Sequence, residues 1–150
     1  MGNTRFPTAL QIVVTVATNE AAGIRTTSPS LADGLNTNAS FVRKIVATLC
    51  KAALLSTSGG VSGGIRLARS AQSICLLDIH GAVLPDSTAW TARHCLPGMD
   101  RVSRNIETIA DDLAARADKA IAAELIKTTV QDCIDEIANL EGKRAVKTED

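Results

Sequence analysis

Apolar residues recur at intervals of three and four along most of the chain, the period of an amphipathic helix. Ala9, Ile12, Val13, Val16 and Ala17 mark a first helix over residues 4–22, with Thr4 suited to cap its start and Gly23 its end. Ser28 is a favoured cap residue with Pro29 behind it, and Leu31, Ala32 and Leu35 give a short second helix an apolar face. The turn Asn36-Thr37-Asn38 separates it from a third helix over residues 39–53. The third helix carries the stripe Val42, Ile45, Val46, Leu49 and Ala53 and sets Ser40, Arg43, Lys44 and Lys51 on or near its other side.

The pattern then changes. Leu54 to Ser58 and Ile65 to Arg69 are short β-like runs around the glycine-rich tip Gly59-Gly60-Val61-Ser62-Gly63-Gly64, which predicts a hairpin. A fourth helix is expected from Ile74 to Leu84 behind Ser73, followed by a loop to about residue 100 with turn residues at both ends. A long helix follows from Val102 to Lys127, with Val102, Ile106, Ile109, Leu113, Ala117 and Ala120 stepping by three or four. The last helix is expected from Val130 to Leu140, ended by Gly142, with a charged, disordered tail. A short helix, a tight turn, a helix with a polar outer face and then a hairpin make a winged helix-turn-helix. The fold class expected is mainly α, with a β-hairpin wing and a long dimerisation helix. The expected division is a winged helix-turn-helix domain over 1–84, a loop over 85–100, dimerisation helices over 101–141 and a tail over 142–150.

Composition agrees. Aromatic residues are only 2% of the chain, so the core must be aliphatic, which favours helices over a β-sandwich. The formal net charge is zero, but residues 1–70 hold seven basic against two acidic residues and residues 71–150 nine against fourteen. A front half at +5 and a back half at −5 fit a polyanion-binding module joined to something else, and charge alone fits ordinary surface scatter equally well. No apolar run approaches the roughly 20 residues of a membrane span. The start lacks a signal-peptide core, and Phe6 stands where a myristoylation pattern has Ser or Thr. A cytoplasmic location with reduced cysteines is therefore expected.

The recognition helix of such a module shows polar residues near its N-terminal end, where it enters the major groove. Ser40, Arg43 and Lys44 fit that place. Ser28 at the start of the preceding helix, and Arg66 and Arg69 on the hairpin, are further candidate contacts to duplex DNA. The glycines match neither G-x-G-x-x-G nor a Walker loop, so a nucleotide-binding reading fails. A long helix with an apolar seam and no equal in the chain needs a partner. The simplest is a second copy through Ile106, Ile109 and Leu113, which would present two recognition helices to a pseudo-palindromic operator.

Four cysteines divide into two kinds. Cys50, Cys75 and Cys133 sit among apolar residues at helical spacing and read as inert packing thiols. Cys95 lies in the polar loop beside Arg93 and His94, which suit a thiolate, so it is the candidate redox or electrophile sensor. Adjacent His94 and Cys95 lack a third orienting group, so an enzyme is not expected. Asp78 and His80 face different ways on a helix, and no metal-ligand spacing is present. Trp90 suits either a plug holding the loop or the cover of a small-molecule pocket. The alternatives to a redox-sensing regulator are thus a regulator that responds to a small molecule near Trp90, or a winged-helix module that binds protein.

Three stretches carry a family resemblance: 38–45 (Asn-Ala-Ser-Phe-Val-Arg-Lys-Ile), 49–55 (Leu-Cys-Lys-Ala-Ala-Leu-Leu) and 63–69 (Gly-Gly-Ile-Arg-Leu-Ala-Arg). With Arg5 to Leu10, Ser73 to Ile79 and Cys95-Leu96-Pro97-Gly98, they resemble the Rrf2 family of bacterial winged helix-turn-helix transcriptional regulators. The resemblance covers roughly residues 4–135. It implies a dimeric repressor or activator, with Ser40, Arg43 and Lys44 in the recognition helix and Arg66 as the wing residue entering the minor groove. Cluster-binding members carry three cysteines in the loop before the long helix, where this chain has Cys95 alone. Other members use an acid and a His of the first helix, where this chain has Pro7 and Gln11. No iron–sulfur cluster and no other cofactor is therefore expected.

Overall fold

The structure is a computed structural model and describes residues 4–86, 88–90 and 100–148. Helix α1 spans Arg5–Ala21 and buries Ala9, Ile12, Val13, Val14, Val16 and Ala17, the stripe expected from the sequence with Val14 added. Thr4 occupies the N-cap position, but its side chain caps nothing. The C-terminal end is closed as expected by Gly23 at φ +70°. The amides of Gly23 and Ile24 reach back to the carbonyls of Glu20 and Asn19, a Schellman turn.

Helix α2 spans Ser28–Gly34 and α3 spans Ala39–Lys51. The cap of α2 is Thr27, which corrects the placing of Ser28 there. The Thr27 hydroxyl accepts from the Ser30 amide, the Ser30 hydroxyl accepts from the Thr27 amide, and Ser28 is the first helical residue. The turn to α3 uses Asn36 at φ +48°. Asn38 then caps α3, its Oδ1 accepting from the Phe41 amide at 2.7 Å. The third helix ends two residues earlier than its apolar pattern predicts. Ala53 takes φ +54°, and the amides of Ala53 and Leu54 close on the carbonyls of Cys50 and Leu49. An alanine holds a conformation that glycine usually takes.

Strands β1 (Leu55–Thr57) and β2 (Ile65–Leu67) pair antiparallel, with Leu55 opposite Leu67 and Thr57 opposite Ile65. A 3-10 turn over Ala71–Ser73 leads to α4, Leu76–Val83. The expected start at Ile74 behind Ser73 is corrected, because Ile74 and Leu76 are taken by a longer-range pairing. The Val130 amide donates to Ile74, and the Leu76 amide donates to Thr128, both at 2.9 Å. Cys75 is the N-cap of α4, and its own amide donates to Asp78 at 3.1 Å.

Helix α5 spans Arg101–Leu125 and α6 spans Val130–Thr148. Helix α6 runs straight through Gly142, so neither the expected stop nor the disordered tail is observed up to Thr148. A glycine in an exposed helix costs only about 1 kcal/mol. Strong helix formers flank it, and Arg144 pairs with Glu141 across it at 2.6 Å.

The chain divides into two units. The first joins residues 4–85 with 126–148. There α1 packs against α3, α4, β2 and α6, and α3 packs against α2, α4 and β1. This assigns α6 to the winged unit, a correction to its expected grouping with the long helix. The core is aliphatic: Ile12, Ile45, Leu49, Leu54, Leu55, Ile74, Ile79 and Val130 are all buried. Each such side chain contributes about 1.5–3 kcal/mol relative to exposure. The second unit, 86–125, holds α5. Asp100 caps α5, its carboxylate accepting from the amides of Val102 and Ser103 and from the Ser103 hydroxyl. The Ser103 hydroxyl, and then the two amides, hold its pKa below the ordinary carboxylate value. The Trp90 indole donates to the Ala110 carbonyl at 3.0 Å, which ties that part of the loop to α5.

Candidate nucleic-acid interface

Helix α3 is sharply two-sided. Val42, Ile45, Val46 and Leu49 are buried, while Ser40, Arg43, Lys44, Ala47 and Lys51 are exposed. The closed turn at Asn36 and the Asn38 cap fix where the helix begins, and hence where Ser40 and Arg43 stand. Two cations one residue apart on the first turns of an exposed helix can approach base edges or phosphates.

The wing offers Arg66, exposed on β2 opposite Ser56. Arg69, the other wing candidate, is engaged elsewhere: its guanidinium pairs with Asp78 of α4 at 3.1 Å. Both side chains are part-exposed, so the pair is worth no more than about 1 kcal/mol. It nonetheless points the charge at α4. Ser28 is half-buried in the first turn of α2. Ser40, Arg43, Lys44 and Arg66 thus stand exposed; Arg69 is also exposed but paired with Asp78, and Ser28 is half-buried.

Sequence reasoning missed Arg25, Glu20 and Thr26. The Arg25 guanidinium donates from Nε to the Gly63 carbonyl and from Nη2 to the Gly60 carbonyl. The Glu20 carboxylate accepts from the Leu67 amide at 3.0 Å, and the Thr26 carbonyl from the Ile65 amide at 2.9 Å. Residues about 40 apart in sequence meet here, and no local pattern carries that signal.

Of the cysteines, Cys50, Cys75 and Cys133 are part-buried thiols outside any disulfide. Burial pushes the Cys50 thiol pKa up. Burial does the same to Cys133, with the Asp132 charge adding to it. Raised thiols are poor nucleophiles at neutral pH, as packing residues should be. Cys95, with Arg93 and His94, lies outside the described residues. Among the described residues no three His, Cys, Asp or Glu side chains converge in a way that could hold a metal ion. No described helix is long and apolar enough to cross a membrane.

A family model described as Rrf2, "Iron-dependent Transcriptional regulator", matches residues 3–136. The chain belongs to the Rrf2 family. Members are DNA-binding transcription regulators rather than enzymes. The chain is 26% identical over 137 residues to YwnA of Bacillus subtilis (strain 168), named for an HTH-type transcriptional regulator; the match covers 91% of this chain and 99% of YwnA. Among solved structures it is similar to a transcriptional regulator from Lactobacillus plantarum (20% identity, TM-score 0.75, 95% of this chain and 98% of the other). It is also similar to T. potens IscR (18% identity, TM-score 0.68, 91% and 88%). A third is CymR, the global cysteine regulator of B. subtilis (20% identity, TM-score 0.64, 91% and 97%). At these identities the structural matches establish a shared fold, the winged helix with one small two-stranded sheet expected from the sequence.

Proposed function

We propose that this regulator is a cytoplasmic homodimer that represses transcription by binding a pseudo-palindromic operator, and that Cys95 is its redox or electrophile switch. The observation that carries the DNA reading is the face of α3, where exposed Ser40, Arg43 and Lys44 are backed by four buried aliphatic side chains. Support for the dimer comes from α5, where Val102, Ile106, Ile109 and Leu113 are exposed large apolar residues along one helix. A soluble chain rarely leaves such a row to water.

Operator selection from a random duplex library supplies the probe. On the selected duplex, Arg43→Ala should cost about 1–3 kcal/mol if it reads a base edge. Arg66→Ala should lower the slope of log affinity against log salt by about one. Unchanged affinity in both variants would sink the assignment.

The switch involves no iron. The Cys95 thiolate attacks one peroxide oxygen, the O–O bond breaks, and hydroxide leaves while sulfur becomes the sulfenic acid, oxidised by two electrons. The added polar group would act a few residues ahead of α5 in the sequence. The test is release of the selected duplex after peroxide treatment, with wild type expected to release and Cys95→Ser to stay bound. Equal behaviour of the two would remove Cys95 from the mechanism.

A further inference from the structure

We propose that Arg25 is a positioning residue for the wing: it acts on DNA through the order of the hairpin tip and not through a contact of its own. This deepens the DNA-binding reading above and rests on it. The last turn of α1 and the segment leaving it touch the hairpin at three levels. Glu20 takes the amide of Leu67, the Thr26 carbonyl takes the amide of Ile65, and Arg25 spans the carbonyls of Gly63 and Gly60. Thr26 is itself buried, and its hydroxyl accepts from the Asn19 amide group at 3.0 Å.

The glycines make this approach possible. A Cβ on Gly63 would stand 2.2 Å from the Ser58 carbonyl oxygen, and one on Gly64 would stand 2.8 Å from the Thr26 carbonyl oxygen and 3.4 Å from Cγ of Arg25. The Gly64 backbone therefore lies against Thr26 and the Arg25 side chain, and Gly63 closes on the loop's own Ser58–Gly59 backbone, so neither position has room for a side chain. Loop 58–64 has few other restraints: Ser58 donates to Gly64, Gly63 donates to Gly60, and Gly64 donates to the Ser58 hydroxyl. Four of its seven residues are glycine, which lose more freedom on ordering than any other residue. A planar guanidinium that holds two carbonyls at once supplies what the tip lacks, and an ammonium cannot reproduce that fork. Arg66 lies two residues beyond the tip, next to Ile65 on β2, so the tip's order decides how it is presented.

The test compares wild type, Arg25→Ala, Arg25→Lys and Arg66→Ala on the selected duplex across a salt series, with amide hydrogen exchange on the free proteins. Arg25→Ala should bind about tenfold more weakly, the scale of losing a hydrogen bond to a charged group. Its salt slope should stay that of wild type, while the slope of Arg66→Ala falls by about one. Arg25→Lys should not recover the affinity. Exchange at Ser58, Gly63 and Ile65 should speed up by about tenfold in both Arg25 variants, and amides of α3 should not change. A slope lowered by about one in Arg25→Ala, or full recovery by Lys, would make Arg25 a phosphate contact and overturn the proposal. Unaltered exchange at the three wing amides would overturn it whether or not DNA is bound. Failure of wild type to bind any duplex would instead overturn the DNA reading, with the exchange data still deciding the clamp.

Discussion

In the winged unit Ile12, Val16, Val42 and Leu49 are wholly shielded from solvent, and the helices that carry them close on one another within a single chain. In the α5 unit the apolar residues at helical spacing stay outside: Ile109 is 53% exposed and Val102 70%, and Ala114 is the one buried residue on the helix. Both helices carry the same kind of sequence pattern. Periodicity therefore says which face of a helix is apolar, but not whether the same chain covers it. For α1 and α3 the covering elements lie in the chain; for α5 the proposed cover is a second copy, and the comparison can be broken there first.

Ile109→Asp carries the largest expected effect. A carboxylate placed on the seam would be buried against its own copy, at a cost of several kcal/mol. Sedimentation should show monomer or aggregate for the variant and dimer for wild type at micromolar concentration, and affinity for the selected duplex should fall. A monomeric wild type would show that α5 differs from the winged unit for some other reason. Leu49→Ala addresses the other side of the contrast. Leu49 is fully buried, so truncation should cost about 2–5 kcal/mol in denaturant unfolding of the winged unit. The dimer should persist in that variant below its own transition.

Ala53→Gly should have a smaller effect, of opposite sign. Ala53 sits at φ +54° to close the Schellman turn after α3, a conformation that disfavours any Cβ. Glycine relieves that strain but loses more entropy on folding, which leaves a gain of about 0.5–1 kcal/mol. A lowered melting temperature would show that the Ala53 methyl packs usefully. The same residue shows the limits of legibility. Gly23 and Asn36 announce their turns by residue type, and both turns lie where the sequence places them. Ala53 announces nothing, so the apolar stripe runs the expected helix two residues too far.

The other misreadings share one cause. Local pattern places α4 at Ile74, but Ile74 and Leu76 pair with Val130 and Thr128, more than 50 residues away. It groups α6 with the long helix, but α6 packs on α1. Within the candidate interface, the outward residues of α3 were legible because burial of Val42, Ile45, Val46 and Leu49 fixes the opposite face. The Arg25 contacts were not, because a single arginine has no period.

The smallest expected effect concerns how α6 is held to the winged unit. Asp132 accepts from the amide and the hydroxyl of Thr129, both at 2.7 Å, and the Asp132 amide donates back to Thr129 Oγ1 at 3.1 Å. The Thr129 amide first, and its hydroxyl second, hold the Asp132 carboxyl below its ordinary value. A carboxylate depressed in the folded state adds stability above its unfolded pKa, and that stability is lost as pH falls through the folded one. The carboxylate is exposed, so the contribution is small. Wild type should therefore melt slightly above Asp132→Asn at pH 7, and the gap should close on acidification below about pH 4, the ordinary carboxylate range. Other carboxylates titrate alike in both proteins and cancel from the difference. Exchange at the amides of Val130 and Leu76, which join the start of α6 to the start of α4, should speed up in the variant at pH 7. A gap that stays constant with pH would show that the charge on Asp132 is not what caps α6. The attachment of that helix to the winged unit would then rest on its apolar contacts, chiefly the buried Val130 with the partly buried Cys133 and Ile134.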